Sequence, residues 1–384
     1  MSLRGKKIFV TGASGFIGSR LVEKLIIEQG AEVIALVRQF KNASKIARFQ
    51  ITMVAGDVLD ADTITNAMTG CDFAVHCAVD GSGSREENRR ITVEGTRNVC
   101  RAAQKAKVKR LVHLSTISVY GQTPPGQIDE STLKNSKNDD YGTTKLEAEN
   151  IVLDFAKSGL PFTVLQPTVV FGAAMTHWTT SIAKQLGSGT VVLPNDGDGL
   201  CNAVYVDDVI DAIFCALNID RPIPGPYLIS GESPVTWAEY YQAFAKWIPG
   251  STIAGEPATT IENRLAKQKF IASIAPMICP QKLRLKISWL LQNIPGLWST
   301  YNAARGRRMK PVEAGVPSGA FKIIKPDPNC RVYPFQENIS FMALKSSVSI
   351  RKAQNELGFQ PHYNLQKAMD VVGPWLQWAG LAPR

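Results

Sequence analysis

From Ile8 to about residue 230, short apolar runs alternate with stretches of helical apolar spacing. Ile8-Phe9-Val10 reads as a strand. Ile17, Leu21, Leu25 and Ile26 then share one face of a helix that Gly30 is placed to end. Further strands are predicted over Glu32–Val37, Ile51–Ala55, Phe73–Ala78 and Arg110–Leu114, with helices over Ile91–Lys107 and from Tyr141 to about Lys157. Alternation of this kind specifies an α/β fold, a doubly wound parallel sheet with helices on both faces. Beyond about residue 170 the elements are smaller and mixed. Thr176–Leu186, Asp207–Leu217 and Trp237–Trp247 read as helices, the last with Thr236 as N-cap and Glu239 at its third position, and Tyr227–Ile229 reads as a strand.

The turn between the first strand and helix is Thr11-Gly12-Ala13-Ser14-Gly15-Phe16-Ile17-Gly18. A glycine-rich turn in that position brings backbone N–H groups and a helix N-terminus against a pyrophosphate. Gly12 permits the turn, Gly15 lets phosphate approach the main chain, and Gly18 lets helix and strand pack closely; Ser14, Phe16 and Ile17 lie in the same cradle. The second strand ends in Val37-Arg38 with no carboxylate. An acid there accepts from a ribose 2′-OH and an arginine suits a 2′-phosphate, so NADP is favoured over NAD. Asp57, beside Val58, either accepts from the adenine amino group or caps the next turn. Cys77 and Ala78 end the fourth strand in small side chains that leave space for the nicotinamide ribose. His76, inside an apolar run, reads as a satisfied core histidine. Residues 1–170 are thus expected to form a Rossmann-type nucleotide-binding domain whose core continues through interleaved segments to about 230. Residues 171–384 are expected to be mainly substrate-binding.

Composition changes little in this picture. Apolar content is 45% and charged content 20%, ordinary for a globular chain, and no uninterrupted apolar stretch is long enough to span a membrane. The first strand begins within eight residues of Met1, so no signal peptide is expected. Seven dispersed cysteines without a CxxC pair argue for a reducing cytoplasm and against a zinc site; no metal is expected. Charge is more telling. Residues 263–310 hold ten Lys or Arg and no acid, while the rest of the chain carries 33 basic and 33 acidic residues.

Candidate chemistry follows the fifth strand. Ser115-Thr116-Ile117-Ser118-Val119-Tyr120-Gly121 places hydroxyls at a strand end, where ligands of open parallel sheets bind. Tyr141 and Lys145 are four apart and share one helix face. A phenol titrates near 10, and a neighbouring ammonium together with an oxidised nicotinamide favours the phenolate. Tyr141 is therefore expected to exchange the proton of a substrate hydroxyl or carbonyl while hydride passes to or from the nicotinamide. Lys145 is expected to donate to the nicotinamide ribose, and Thr116 or Ser115 to hydrogen-bond the substrate oxygen.

The chain resembles an extended short-chain dehydrogenase/reductase, the superfamily of NAD(P)-dependent sugar epimerases, dehydratases and reductases. TGASGFIG at 11–18, GDV at 56–58, VEGTRN at 93–98, LSTISVYG at 114–121, YGTTK at 141–145, QPTVVFG at 166–172 and NAVYVDDV at 202–209 carry the resemblance, with a weaker echo at Ser349–Pro361. It implies Thr116, Tyr141 and Lys145 as the catalytic set, with Ser115 beside them. It also implies cofactor contacts from Gly12, Gly15, Gly18 and Asp57, with Pro167 added to that set, and a homodimer through helices near 93–106 and 144–157. The family's dehydratases carry an Asp-Glu pair after the threonine; Ile117 and Ser118 stand there, which disfavours dehydration. Thr92, Gln166 and Tyr205 replace a common asparagine, arginine and histidine.

The resemblance therefore implies an NAD(P)-dependent oxidoreductase or epimerase working at a secondary alcohol or ketone carbon, with a nucleotide sugar as the leading small-molecule substrate. One alternative is a dehydrogenase of a hydrophobic, sterol-like or lipid-linked molecule at a membrane surface. Another, of a different class, is a non-catalytic NADP-binding sensor or scaffold, against which the retained Thr116, Tyr141 and Lys145 argue. Asn202, Asp207 and Asp208 are candidates for orienting substrate or for purely structural bonds, and Arg305 is a further substrate candidate. The basic residues of 263–310 interleave with apolar ones such as Phe270, Leu283, Trp289 and Trp298. That combination suits a lid, an anion clamp or a peripheral membrane contact. No recognition module accompanies the charge, so nucleic acid is not an expected partner.

Overall fold

The computed structural model describes residues 2–79, 84–137, 139–219, 225–266 and 326–383. Most of the basic segment 263–310, including Arg305, lies outside the described residues. Seven parallel strands form the main sheet: β1 (Lys7–Thr11), β2 (Glu32–Val37), β3 (Thr52–Ala55), β4 (Phe73–His76), β5 (Arg110–Leu114), β6 (Phe162–Pro167) and β7 (Pro226–Ile229). Their spatial order is β7-β6-β5-β4-β1-β2-β3. The chain runs outward to β3 from β1, then returns and runs outward the other way from β4. The switch between the two directions lies between the carboxyl ends of β1 and β4, where an open α/β sheet leaves a crevice for a ligand. Fully buried consecutive pairs such as Phe9-Val10 and Leu111-Val112 explain why these strands carry apolar runs rather than strict alternation.

Helices α1 (Phe16–Ile27), α2 (Ala61–Met68), α3 (Arg85–Ala106), α4 (Asp140–Lys157) and α5 (Val206–Asn218) accompany the sheet. Expected strands and helices recur with two instructive differences. α3 begins at Arg85 rather than Ile91 because Ser84 caps it, accepting from the Glu87 N–H at 3.2 Å, and Glu86 and Glu87 favour its positive end. Its first turns carry no apolar periodicity, so the pattern alone does not reveal them. The single helix expected over 176–186 is instead a π-helical turn at Thr176–Thr180, where the Thr179 hydroxyl accepts from the Gly172 N–H, followed by an α-helix at Ser181–Ser188.

Two compact units emerge. One comprises residues 1–180, 199–236 and 344–372; the other comprises 181–198, 237–343 and 373–384. In the first, Asp207 in the opening turn of α5 grips Arg20 of α1 through Nε and a terminal nitrogen at 2.7 and 2.8 Å. Arg110 of β5 donates to the carbonyls of Ala216 and Ile219 at 2.7 Å, satisfying the negative end of α5. Strand Ser346–Val348 returns to pair with Gly126–Ile128 in parallel. In the second unit, strand Gly189–Pro194 lies between Thr252–Glu256 and Asp327–Val332, and helix Trp237–Ala245 begins where the sequence pattern places it.

The β1–α1 turn is tightly packed. A Cβ on Gly18 would sit 2.1 Å from the Gly12 carbonyl oxygen, and one on Gly12, at φ +68°, would meet the Ala78 nitrogen at 2.7 Å. Gly18→Ala is therefore expected to destabilise the protein by about 1–3 kcal/mol, the usual cost of overpacking, seen as a lower urea midpoint. An unchanged midpoint would show that the turn relaxes.

Candidate active site

The glycine turn sets the first part of the site. Gly15 is the N-cap of α1 but supplies no side-chain cap, and the first turn holds no acid. Its amide N–H groups are left for a ligand, and the helix end favours an anion. Ser14, Phe16 and Ile17 lie at this helix start, with Phe16 reaching toward Gly172. Those features fit a dinucleotide pyrophosphate. Arg38 is exposed one residue beyond β2. Asp57 accepts from the Leu59 N–H at 2.9 Å, so at least one oxygen caps the turn after β3; Val58 beside it is buried. Pro167 ends β6.

At the switch point, the Thr11 hydroxyl lies 2.6 Å from His76 Nδ1, and the Thr96 hydroxyl 3.0 Å from Nε2. Thr96 spends its own hydrogen on the Thr92 carbonyl at 2.7 Å, so it accepts from Nε2–H and leaves Nδ1 to accept from Thr11. Burial, with the nearby Lys145 ammonium, pulls this ring down to about 3. His76 is thus a neutral, satisfied core histidine. Its neighbour His113, in register with it on β5 and 5.2 Å away ring to ring, is buried with neither nitrogen bonded among the described residues. Burial also pushes the Cys77 thiol up to about 12, so it offers bulk rather than reactivity.

The catalytic candidates converge from β5 and α4. Thr116 caps the short turn Ile117–Tyr120, accepting from the Ser118 N–H at 3.2 Å, and stands beside the Tyr141 phenol, whose proton loss it favours. Asp139 caps α4 through the Tyr141 N–H at 3.0 Å and so fixes where Tyr141 enters the helix. Tyr141 is 47% exposed. Lys145, one turn on, is buried and donates to the Leu114 carbonyl at 2.5 Å.

Burial first, then the Asp139 carboxylate, push the Tyr141 phenol up to about 12 against the opposing effect of Thr116. Lys145 does not set that balance, because its ammonium is turned to the Leu114 carbonyl; burial lowers it to about 8, opposed by Glu149 and Cys77. Ser115 is not the second hydroxyl of the site. Its Oγ donates to Glu149 at 2.6 Å, on the side of the strand end away from Thr116.

Asn202 uses both ends of its amide on the returning strand, donating to the Ser346 carbonyl at 2.8 Å and accepting from the Val348 N–H at 3.1 Å. That is the structural role of the two considered. Asp208 accepts from the His362 and Tyr363 N–H groups at 2.7 and 3.2 Å, and burial lifts it to about 6. Sequence reasoning missed Glu149, which is fully buried, and its partner Lys134; its other partner is Gln166, noted above only as a replacement for an arginine. The available signal was spacing: Tyr141, Lys145 and Glu149 repeat every four residues on one face of α4.

With this geometry in place, comparison with known proteins is consistent. The family model described as "NAD dependent epimerase/dehydratase family" matches residues 8–229. A 4-hydroxy-2-methyl-3-oxo-4-farnesyl-3,4-dihydroquinoline-1-oxide ketoreductase of Stigmatella aurantiaca is 30% identical over 214 residues, 55% of this chain and 64% of that one. The match thus spans under two thirds of that relative's length. A UDP-glucose 4-epimerase of Vibrio cholerae is 25% identical over 251 residues, 62% of this chain and 75% of that one. The crystal structure of UDP-glucuronic acid 4-epimerase from Bacillus cereus, in complex with UDP-glucuronic acid and NAD, superimposes with a TM-score of 0.66 at 18% identity, covering 97% of this chain and 99% of that one. At that identity it reports the fold.

The buried histidines make stability pH-dependent. In the unfolded chain an imidazole binds its proton near 6.5, whereas the folded interior holds both rings below that value. Unfolding therefore takes up protons, and stability falls as pH drops below about 6.5. His113→Phe should remove one such proton, flattening the acid slope of unfolding free energy by about 1.4 kcal/mol per pH unit near pH 5. Urea titrations at several pH values read it; an unaltered slope contradicts a neutral buried His113.

Proposed function

This chain belongs to the NAD dependent epimerase/dehydratase family, and we propose that it is an NADP(H)-dependent oxidoreductase that transfers hydride at a secondary alcohol or ketone carbon. The observation that carries the reading is the convergence of Thr116, at the carboxyl end of β5, with Tyr141 and Lys145, which share one face of α4. When bound, the nicotinamide supplies or accepts the hydride. Tyr141 holds the proton that passes to a ketone oxygen, or takes it from an alcohol, and Thr116 donates to the same oxygen and steadies its growing charge. A phenol kept protonated suits the reducing direction. Lys145 holds the ribose hydroxyls from a buried position, and the α1 N-terminus holds the pyrophosphate.

NADP is supported by Arg38 at the end of β2 and by the absence of any acid from residue 33 to residue 56. For the substrate, a bulky apolar ketone is favoured by the Stigmatella ketoreductase and by the basic, apolar composition of 263–310, which suits peripheral contact with a membrane surface. A second reading, epimerisation of a nucleotide sugar, is favoured by the Vibrio epimerase. Ile117 and Ser118 leave no acid–base pair for dehydration. The same proposal includes a cytoplasmic location, supported by the dispersed cysteines, and a homodimer through α3 and α4.

Tyr141→Phe should retain NADPH binding, followed by fluorescence, and lose about 10²–10⁴-fold in turnover. Turnover equal to wild type on an identified substrate sinks the proton-donor role. Arg38→Glu should invert the preference toward NADH; a retained NADPH preference removes Arg38 from 2′-phosphate recognition. Net NADPH oxidation by alkyl ketones supports the reductase. Interconversion of UDP-sugars with no net absorbance change supports the epimerase.

A further inference from the structure

Behind the hydroxyl-bearing end of β5 lies a buried polar cluster that the reaction above does not use. Glu149 is fully buried, eight residues after Tyr141 and four after Lys145 on α4. One carboxylate oxygen accepts from Ser115 Oγ at 2.6 Å and from Gln166 Nε2 at 2.9 Å; the other is bonded by the Lys134 ammonium. Gln166 in turn accepts from the buried Tyr120 hydroxyl at 2.9 Å. One carboxylate thus ties together α4, the end of β5, β6, the turn Ile117–Tyr120 and the loop that carries Lys134 toward the α4 N-cap. Those are the segments that present Thr116, Tyr141, Lys145 and Pro167.

A buried carboxylate without a counter-charge is costly, and the cluster meets that cost from outside the helix. Gln166 is neutral, so the compensating cation is Lys134, whose side chain is 20% exposed and whose ammonium lies 5.9 Å from the centre of the Tyr120 ring.

We propose that Glu149 and Lys134 form a positioning pair for the active site: the buried carboxylate anchors α4 to the end of β5 and places a negative charge one turn below Lys145, while Lys134 compensates that charge from the loop. The proposal rests on the hydride-transfer reading given above. Burial drives the Lys145 ammonium toward losing its proton, and Glu149 opposes it. The other titratable groups that face Lys145 are Cys77 and His76 from β4, His113 from β5 and Tyr141 from α4 itself. Cys77 and both histidines are held neutral by burial, and the Tyr141 phenol stays protonated. Glu149 is therefore the group that keeps Lys145 charged at neutral pH. Neither member of the pair touches the reacting atoms.

The test compares Glu149→Gln with Ser115→Ala and with the double variant E149Q/K134M. Ser115→Ala removes a hydrogen bond from the carboxylate without removing its charge. The double variant removes both charges and guards against misfolding caused by one unpaired lysine. The readouts are the alkaline limb of the kcat profile with NADPH and a ketone, and the titration of Lys145 by NMR on lysine-labelled protein. In Glu149→Gln both should move down by about one pH unit, because Lys145 loses its proton sooner without the nearby carboxylate. The double variant should shift in the same direction by less, and Ser115→Ala should leave the limb where it is. Unchanged Lys145 titration in both charge variants, each verified as folded by its melting transition, overturns the proposal. An equal shift in Ser115→Ala overturns it too, since a generally loosened helix would then suffice. If wild type turns over no ketone or sugar substrate, the oxidoreductase reading falls separately; the NMR titration needs no turnover and still decides the pair.

Discussion

Between β1 and α1 the chain turns within a space that one methyl group would fill. The approach of Gly18 to the Gly12 carbonyl, and of Gly12 to the ends of Cys77 and Ala78, brings the first helix and the fourth strand onto the same few ångströms of backbone. The crevice between β1 and β4 follows from this contact, since the strand order reverses there and all seven strands end on that side. The Thr11–His76–Thr96 chain of hydrogen bonds then locks β1, β4 and α3 around it. A wider turn would separate the anion-binding end of α1 from the strand ends that carry the reacting groups.

A second constraint is electrical. The site is lined by groups that burial drives toward neutrality: His76, His113, Cys77 and the Tyr141 phenol. Lys145 is the cation among them, and it sits between the Leu114 carbonyl and the Glu149 helical turn. A low-dielectric pocket strengthens each of these interactions and makes each unpaired one costly. That is why a carboxylate remote from the substrate has three donors arranged around it.

Much of this was legible in the amino-acid order. β1, β2, β4 and β5 are each centred on an apolar run because both faces of a parallel sheet are covered. Tyr141 and Lys145 announced themselves by spacing. Elements and roles that depend on tertiary partners were less visible. The polar start of α3 rests on Ser84 as a cap rather than on an apolar face. The adjacent hydroxyls Ser115 and Thr116 look equivalent in one dimension, but alternate residues of a strand end point to opposite sides, so one serves Glu149 and the other meets Tyr141. An acid on a helix ordinarily faces water, and only the fold reveals that Glu149 does not. The Leu114 carbonyl that holds the Lys145 ammonium likewise cannot be inferred from helical spacing.

The short strand Ser346–Val348 has a consequence for how the protein is made. It pairs with Gly126–Ile128, is held by Asn202, and shares a buried hydroxyl contact between Thr123 and Ser346. The loop that follows Gly126–Ile128 carries Lys134 and leads to the α4 cap, so the segment between the two catalytic halves leans on residues synthesised more than 200 positions later. On the ribosome, the β1–α1 turn and the parallel strands through β6 emerge long before that partner. The segments of the nucleotide-binding crevice are thus made early, while the edge of the hydroxyl-bearing site needs residues 346–348 to be completed.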